Sequence, residues 1–207
     1  MGPKVVVLDY GSGNLHSAAR ALAAAGARVE VTADRAAALA ADGLVVPGVG
    51  AFAACMGQLE AVGGDEVVQR RVRAGRPLLG ICVGHQILFA KGVEHGLETA
   101  GVGLFPGTVE ALETRRHPHM GWNLVRRPEN SSLFAPGPGE RFYFVHSYAA
   151  LRPEAVPAEA VVAWTRHETT DLIAAVEWGP VTSTQFHPEK SGPAGLAWLG
   201  RWVSRLG

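Results

Sequence analysis

Pro77-Leu78-Leu79-Gly80-Ile81-Cys82-Val83-Gly84-His85-Gln86 is the stretch that decides the fold. An apolar run ends abruptly at a cysteine, and a helical pattern begins directly behind it. Such a run with glycines at its carboxyl end reads as a buried strand feeding a helix through a sharp turn. Gly80 and Gly84 permit a tight turn that holds the Cys82 sulfur out of the backbone, above the sheet edge. The helix start offers positive potential and unpaired amide N–H groups, a setting suited to a developing oxyanion. A G-x-C-x-G pentapeptide does not define a reactive site alone, because cysteine is often a small core residue. The rest of the chain has to supply its partners.

Upstream of this turn, strand and helix patterns alternate. Residues 5–8, 28–32, 44–46 and 78–81 read as strands, and residues 15–25, 51–59, 66–73 and 84–90 as helices. That alternation is the signature of a parallel α/β sheet with right-handed connections. Beyond Gly92 the pattern changes to short β-prone runs at 141–145, 161–164, 172–177 and 181–185, separated by Gly and Pro. These read as antiparallel strands added to the parallel core. Residues 128–140, with three prolines and two glycines, are expected to form a surface loop. Residues 194–206 close the chain as an amphipathic helix carrying Leu196, Leu199, Trp202, Val203 and Leu206.

A length of 207 residues suits a single α/β domain spanning residues 1–207. Nineteen basic and nineteen acidic residues cancel, which removes the electrostatic case for nucleic acid or an anionic membrane. Two cysteines, Cys55 and Cys82, are too few for a secreted disulfide framework and fit free thiols in a reducing cytoplasm. The start, Met1-Gly2-Pro3-Lys4, runs straight into a strand pattern without the features of a signal peptide. No apolar stretch is long enough to span a bilayer.

In open parallel sheets, ligands bind outside the carboxyl ends of the strands. The unusual residues obey that rule: Asp9-Tyr10-Gly11-Ser12-Gly13-Asn14 follows the first strand, Pro47-Gly48-Val49-Gly50 the third, Cys82 the fourth and His187 the last. His187 is suited to take a thiol proton, and Glu189, two residues on, to orient the imidazole, with Pro188 limiting the backbone between them. The N–H groups of Val49 or Gly50, with that of Val83, would form an oxyanion hole. Gln86, one helical turn after Cys82, would face the same pocket, and His146-Ser147-Tyr148, ending the aromatic run Phe142-Tyr143-Phe144, would line it. Trp122 is either a packed ring or an exposed contact. Gly11-Ser12-Gly13 lacks the third glycine of a dinucleotide loop, whose place is taken by His16, and no G-K-[ST] follows it. His117, His119 and the Glu94-His95 pair show no closed ligand spacing, so no metal is expected.

Taken together, Gly80-Ile81-Cys82-Val83-Gly84-His85-Gln86 and His187-Pro188-Glu189 resemble the class I, triad-type glutamine amidotransferases. Asp9 to Leu15, Pro47 to Phe52, His119 to Asn123, Tyr143 to Tyr148 and Thr184 to Gly192 are similar to one family within that class, the glutaminase subunits of imidazole glycerol phosphate synthase. The resemblance implies a flavodoxin-like fold and no cofactor. It implies a catalytic triad of Cys82, His187 and Glu189, and an oxyanion hole at Val49, Gly50 and Val83. Gln86, His146 and Ser147 would hold L-glutamine. Ammonia would pass to a separate (β/α)8-barrel cyclase subunit in a heterodimer, with Asn14, Trp122, Tyr143 and Lys190 as interface candidates and residues 47–50 as the switch. An anthranilate-type glutaminase subunit, a stand-alone cysteine γ-glutamyl hydrolase or peptidase, and a scaffold with a relic triad are the other readings open at this point.

Overall fold

A computed structural model describes residues 2–137 and 139–206. Met1 of the expected strand lead-in and Pro138 of the expected loop at 128–140 lie outside the described residues.

β1 (Lys4–Leu8) is buried from Val5 onward, as a strand covered on both faces must be. The chain continues through α1 (Leu15–Ala24), β2 (Arg28–Thr32), α2 (Arg35–Ala40), β3 (Gly43–Gly48), α3 (Phe52–Ala61), α4 (Gly64–Arg73) and β4 (Leu78–Cys82). Side-chain caps start α1 and α2: Asn14 Oδ1 accepts from Ser17 N at 3.4 Å and Asp34 Oδ1 from Ala37 N at 2.6 Å. α2 was not expected from the sequence. It is built almost wholly of alanine around one leucine, so it carries little periodic signal, and the Asp34 cap is its clearest marker.

The helix expected at 84–90 is cut short. α5 spans only Val83–Gln86, and β5 (Phe89–Glu94) starts three residues later. The apolar run after Gln86 fits either state, and pairing decides it: β5 lies between β6 (Leu97–Ala100) and β7 (Phe105–Ala111) in a small second sheet. The chain then forms β8 (His119–Arg126), β9 (Glu140–His146), β10 (Tyr148–Ala149), β11 (Val161–His167), β12 (Thr170–Trp178), β13 (Val181–Thr184) and α6 (Gly192–Val203).

Among the described residues, nine strands form the main sheet in the order β2-β1-β3-β4-β13-β12-β11-β8-β9. The pairs from β2 to β13 are parallel, and those from β13 onward are antiparallel. The mixed sheet therefore has the expected parallel core with antiparallel strands added. β4 sits between β3 and β13, which places the ends of three parallel strands side by side. Aromatic packing anchors the far part: Phe186 stacks on Phe142 at 4.2 Å and meets Trp198 of α6 edge-on at 5.8 Å. No helix among the described residues is long and apolar enough to cross a membrane.

Two buried polar side chains test this packing. Arg71 is fully buried, and its guanidinium donates to the carbonyls of Ala38 (2.8 Å), Ala41 (2.9 Å) and Pro77 (2.8 Å), tying the end of α2 to the approach to β4. Arg71→Leu strands those carbonyls without donors, so equilibrium urea denaturation should show a loss of about 3 kcal/mol or more. His85 is also fully buried, with Nδ1 2.7 Å from Ser183 Oγ, and burial pushes it down to about 3. Its folded value lies below the unfolded one, so the unfolded chain takes up the proton first as pH falls. Stability from this group is whole above about pH 6.5 and declines toward pH 3, by up to about 1.4 kcal/mol per pH unit. His85→Asn keeps a polar group near Ser183 without titrating; its stability curve between pH 6 and pH 4 should be flatter than that of wild type by that amount.

Candidate active site

Cys82 ends β4 and adopts φ 56°, ψ −112°, a conformation that costs a non-glycine residue on the order of 1–3 kcal/mol. The strain lifts the side chain out of the strand direction at the mouth of α5. Cys82 Sγ lies 3.9 Å from Val145 O and 3.9 Å from Gln185 Nε2. Cys55, the other cysteine, is also a free thiol.

His187 follows β13 and starts a 3-10 turn at Pro188–Lys190 that carries Glu189. His187 Nδ1 is 2.7 Å from Glu189 Oε1, and both side chains are only 3% exposed. Burial lowers the basicity of the imidazole, but the neighbouring Cys82 sulfur and the Glu189 carboxylate outweigh it and push His187 up to about 9. Nε2 has no acceptor among the described residues. Ser191 fastens the turn, its hydroxyl donating to His187 O at 2.6 Å and accepting from Tyr143 N at 2.9 Å.

Cys82 and His187 share a cavity of about 200 Å³ with Val49, Gly50, Val83, Gln86, Ser147 and Lys190. Val83, as the first residue of α5, has no helical acceptor for its N–H. Val49 is placed differently from the expectation. Its N–H donates to Ser12 Oγ at 3.2 Å, while its carbonyl accepts from Ser12 Oγ at 3.0 Å and from Cys55 Sγ at 3.2 Å. Tyr10 OH donates to Pro47 O in the same cluster. The Val49 N–H is thus occupied by the loop after β1. Gly50, at φ +87°, holds the left-handed conformation that favours glycine directly after this loop.

Gln86 donates from Nε2 to Tyr148 O (2.8 Å) and to Gln185 Oε1 (2.9 Å), so it presents an acceptor oxygen to the cavity. His146 lines the cavity, but both its ring nitrogens are engaged by the protein, Nδ1 with Tyr148 O at 3.0 Å and Nε2 with His119 Nδ1 at 2.9 Å. Glu94 also lines the cavity, its Oε2 accepting from Phe52 N at 2.9 Å. Sequence reasoning weighed Glu94 only beside His95 as a metal ligand, and it passed over Gln185. Neither has a local signature; both arrive through pairings between distant strands.

Of the interface candidates, Asn14 caps α1 at an exposed position and Lys190 stands at the cavity. Trp122 and Tyr143 are cross-strand partners with rings 6.3 Å apart. Trp122 is 51% exposed, a surface ring rather than a packed one, and Met120 at 59% and Leu124 at 41% extend the same outward stripe of β8.

The class I glutamine amidotransferase family matches residues 6–204 of the chain. The imidazole glycerol phosphate synthase subunit HisH of Mycolicibacterium paratuberculosis is 60% identical over 203 residues, 98% of both chains. The same subunit of Nocardia farcinica is 59% identical over 207 residues, again 98% of both. A crystal structure of a glutamine amidotransferase is alike in fold, with a TM-score of 0.75 at 21% identity over 98% of this chain and 97% of its own. The chain belongs to the class I glutamine amidotransferases and, within them, to the family of HisH subunits of imidazole glycerol phosphate synthase.

Proposed function

We propose that this chain is the glutaminase subunit of an imidazole glycerol phosphate synthase, hydrolysing L-glutamine to glutamate and ammonia for a separate cyclase subunit in a reducing cytoplasm. The observation that carries the reading is the buried His187–Glu189 pair, which lines one cavity together with the strained Cys82. His187 takes the Cys82 thiol proton on Nε2 as Sγ attacks the carboxamide carbon, and hands that same proton to the leaving nitrogen, so a γ-glutamyl thioester forms as ammonia departs. Water then gives a proton to His187 and its hydroxide attacks the thioester carbonyl; the sulfur leaves and glutamate is released. Glu189 holds the ring through Nδ1 and compensates its charge. Val83 N–H meets the oxyanion. Gln86 Oε1 and Glu94 are the acceptors for the donor groups of glutamine, and Ser147 stands beside them.

Ammonia released to water would be protonated and lost, so an acceptor enzyme has to sit on the cavity mouth. The stripe Met120–Trp122–Leu124 with Tyr143, Asn14 and Lys190 is the surface we assign to it. With Val49 N–H held by Ser12, one oxyanion donor is missing in the isolated subunit. Its restoration by a peptide reorientation at Val49 would couple partner binding to rate.

Glutamate release should rise on the order of tenfold or more when the cyclase and its ribotide are added, and Cys82→Ala should abolish it in both states. Vigorous glutaminase or peptidase activity from the isolated chain, unchanged by the cyclase, would contradict the subunit reading. Ser12→Ala removes the hydroxyl that occupies the Val49 peptide. The uncomplexed variant should hydrolyse glutamine about five- to tenfold faster than uncomplexed wild type, the worth of one hydrogen bond; an unchanged basal rate would show that Ser12 does not restrain the site.

A further inference from the structure

Behind the cavity runs a hydrogen-bond chain in which every proton is fixed by the group before it. Asn123 Nδ2 donates to Arg166 O at 2.8 Å while Asn123 Oδ1 accepts from Leu124 N at 2.8 Å, so the amide orientation is set. The same Nδ2 is 3.1 Å from His119 Nε2, which must therefore accept. The His119 proton is then on Nδ1 and is donated to His146 Nε2, leaving the His146 proton on Nδ1 for Tyr148 O. Tyr148 O fills its second lone pair from Gln86 Nε2; Gln86 also donates to Gln185 Oε1, and Gln185 Nε2 points at Cys82 Sγ. Burial, with His167 adding to it, pushes His119 down to about 4, and burial holds His146 well below the usual range, so both rings are neutral at physiological pH. His119 is clamped between Phe144 (4.8 Å, 20°) and His167 (4.3 Å, 22°), which prevents the ring from turning.

We propose that His119 and His146 are a positioning pair that connects β8, the strand with the exposed Met120–Trp122–Leu124 stripe, to the Gln86 acceptor and the Cys82 sulfur by fixing the Tyr148 carbonyl. The inference rests on the glutaminase reading and adds to it a residue, His119, that touches no substrate. One face of β8 carries the stripe assigned to the partner while His119 on the opposite face sets the pocket, so a small shift of that strand on docking would reach the glutamine site through bonds rather than through the core.

The test has two arms, both on the full chain. Nitrogen-15 NMR of histidine-labelled protein, recorded without glutamine, should show His119 and His146 both protonated at Nδ1 and bare at Nε2, the reverse of the tautomer that free histidine prefers. In the complex with the cyclase and its ribotide, His119→Phe keeps the ring stack but loses both bonds and should raise KM for glutamine about tenfold with kcat within about threefold. His119→Asn, which places an amide N–H where Nδ1–H stood, should recover most of that loss. An Nε2–H tautomer on either ring, a wild-type KM in His119→Phe, or equal impairment of both variants overturns the positioning pair. If wild type with the cyclase turns over no glutamine while both rings are protonated at Nδ1, the glutaminase reading falls and the hydrogen-bond chain is upheld as a link from β8 to Cys82.

Discussion

The backbone of Gly84 lies so close to β3 that a Cβ there would sit 1.9 Å from Val46 O. That approach is what the rest of the site depends on. It lets α5 begin immediately after β4, under the end of β3, and so forces Cys82 into its positive-φ turn rather than a relaxed loop. Any side chain at position 84 would push α5 away from Val46. The sulfur would drop back along β4, and the cavity between Val49, Cys82 and His187 would lose one wall. The strain at Cys82 is sustained because β4 is paired with β3 from Leu78 through Cys82 and with β13 from Leu78 to Ile81.

Charge at the site is governed by a contest between burial and pairing. An imidazolium as buried as His187 would be expected to lose its proton, and His85, with only a serine hydroxyl beside it, does so, falling to about 3. His187 is drawn the other way, to about 9, because a carboxylate and the Cys82 sulfur share its enclosure. The two histidines are about equally buried, at 0% and 2% exposed; what separates them is the Glu189 carboxylate and the Cys82 sulfur beside His187. Glu189 acts at this distance because the 3-10 turn after His187 folds its side chain back within 2.7 Å, while Ser191 prevents the turn from opening.

Much of this was legible along the chain, and the part that was not has a physical cause. Cys82, His187 and Glu189 stand at strand ends, where a change of period, two glycines and a proline mark the backbone, so the sequence points at them directly. β5 is different: its apolar start continues the helical pattern of α5, and only pairing with β6 and β7, whose residues come later, makes it a strand. β8 carries polar residues inward and apolar ones outward, the reverse of the usual half-buried strand, so alternation alone would assign its faces wrongly. The inward polar residues are His119 and Asn123, beside the buried Val125, and their partners are His146 and Arg166, 27 and 43 positions away. Glu94 and Gln185 share that non-local origin.

On the proposed reading, the inverted polarity of β8 would also let a subunit stay folded alone while waiting for a partner to switch it on. An outward apolar stripe of three residues is small enough to remain in water without aggregating, yet it gains by burial when a partner covers it. The opposing restraint is equally modest: the Ser12 hydroxyl on the Val49 N–H and the Cys55 thiol on the Val49 carbonyl, on the two peptides that flank Val49, are worth about 1 kcal/mol each. A switch built from terms of this size does not need a large rearrangement. Covering the stripe is worth about 25 cal/mol for each Å² removed from water, so a few tens of Å² match one of those bonds. Docking energy many times that is available at any stable interface, and on the proposed reading a small fraction directed into the Gly48–Val49 peptide would be enough to reset the oxyanion hole while leaving Cys82, His187 and Glu189 where the sheet has already put them.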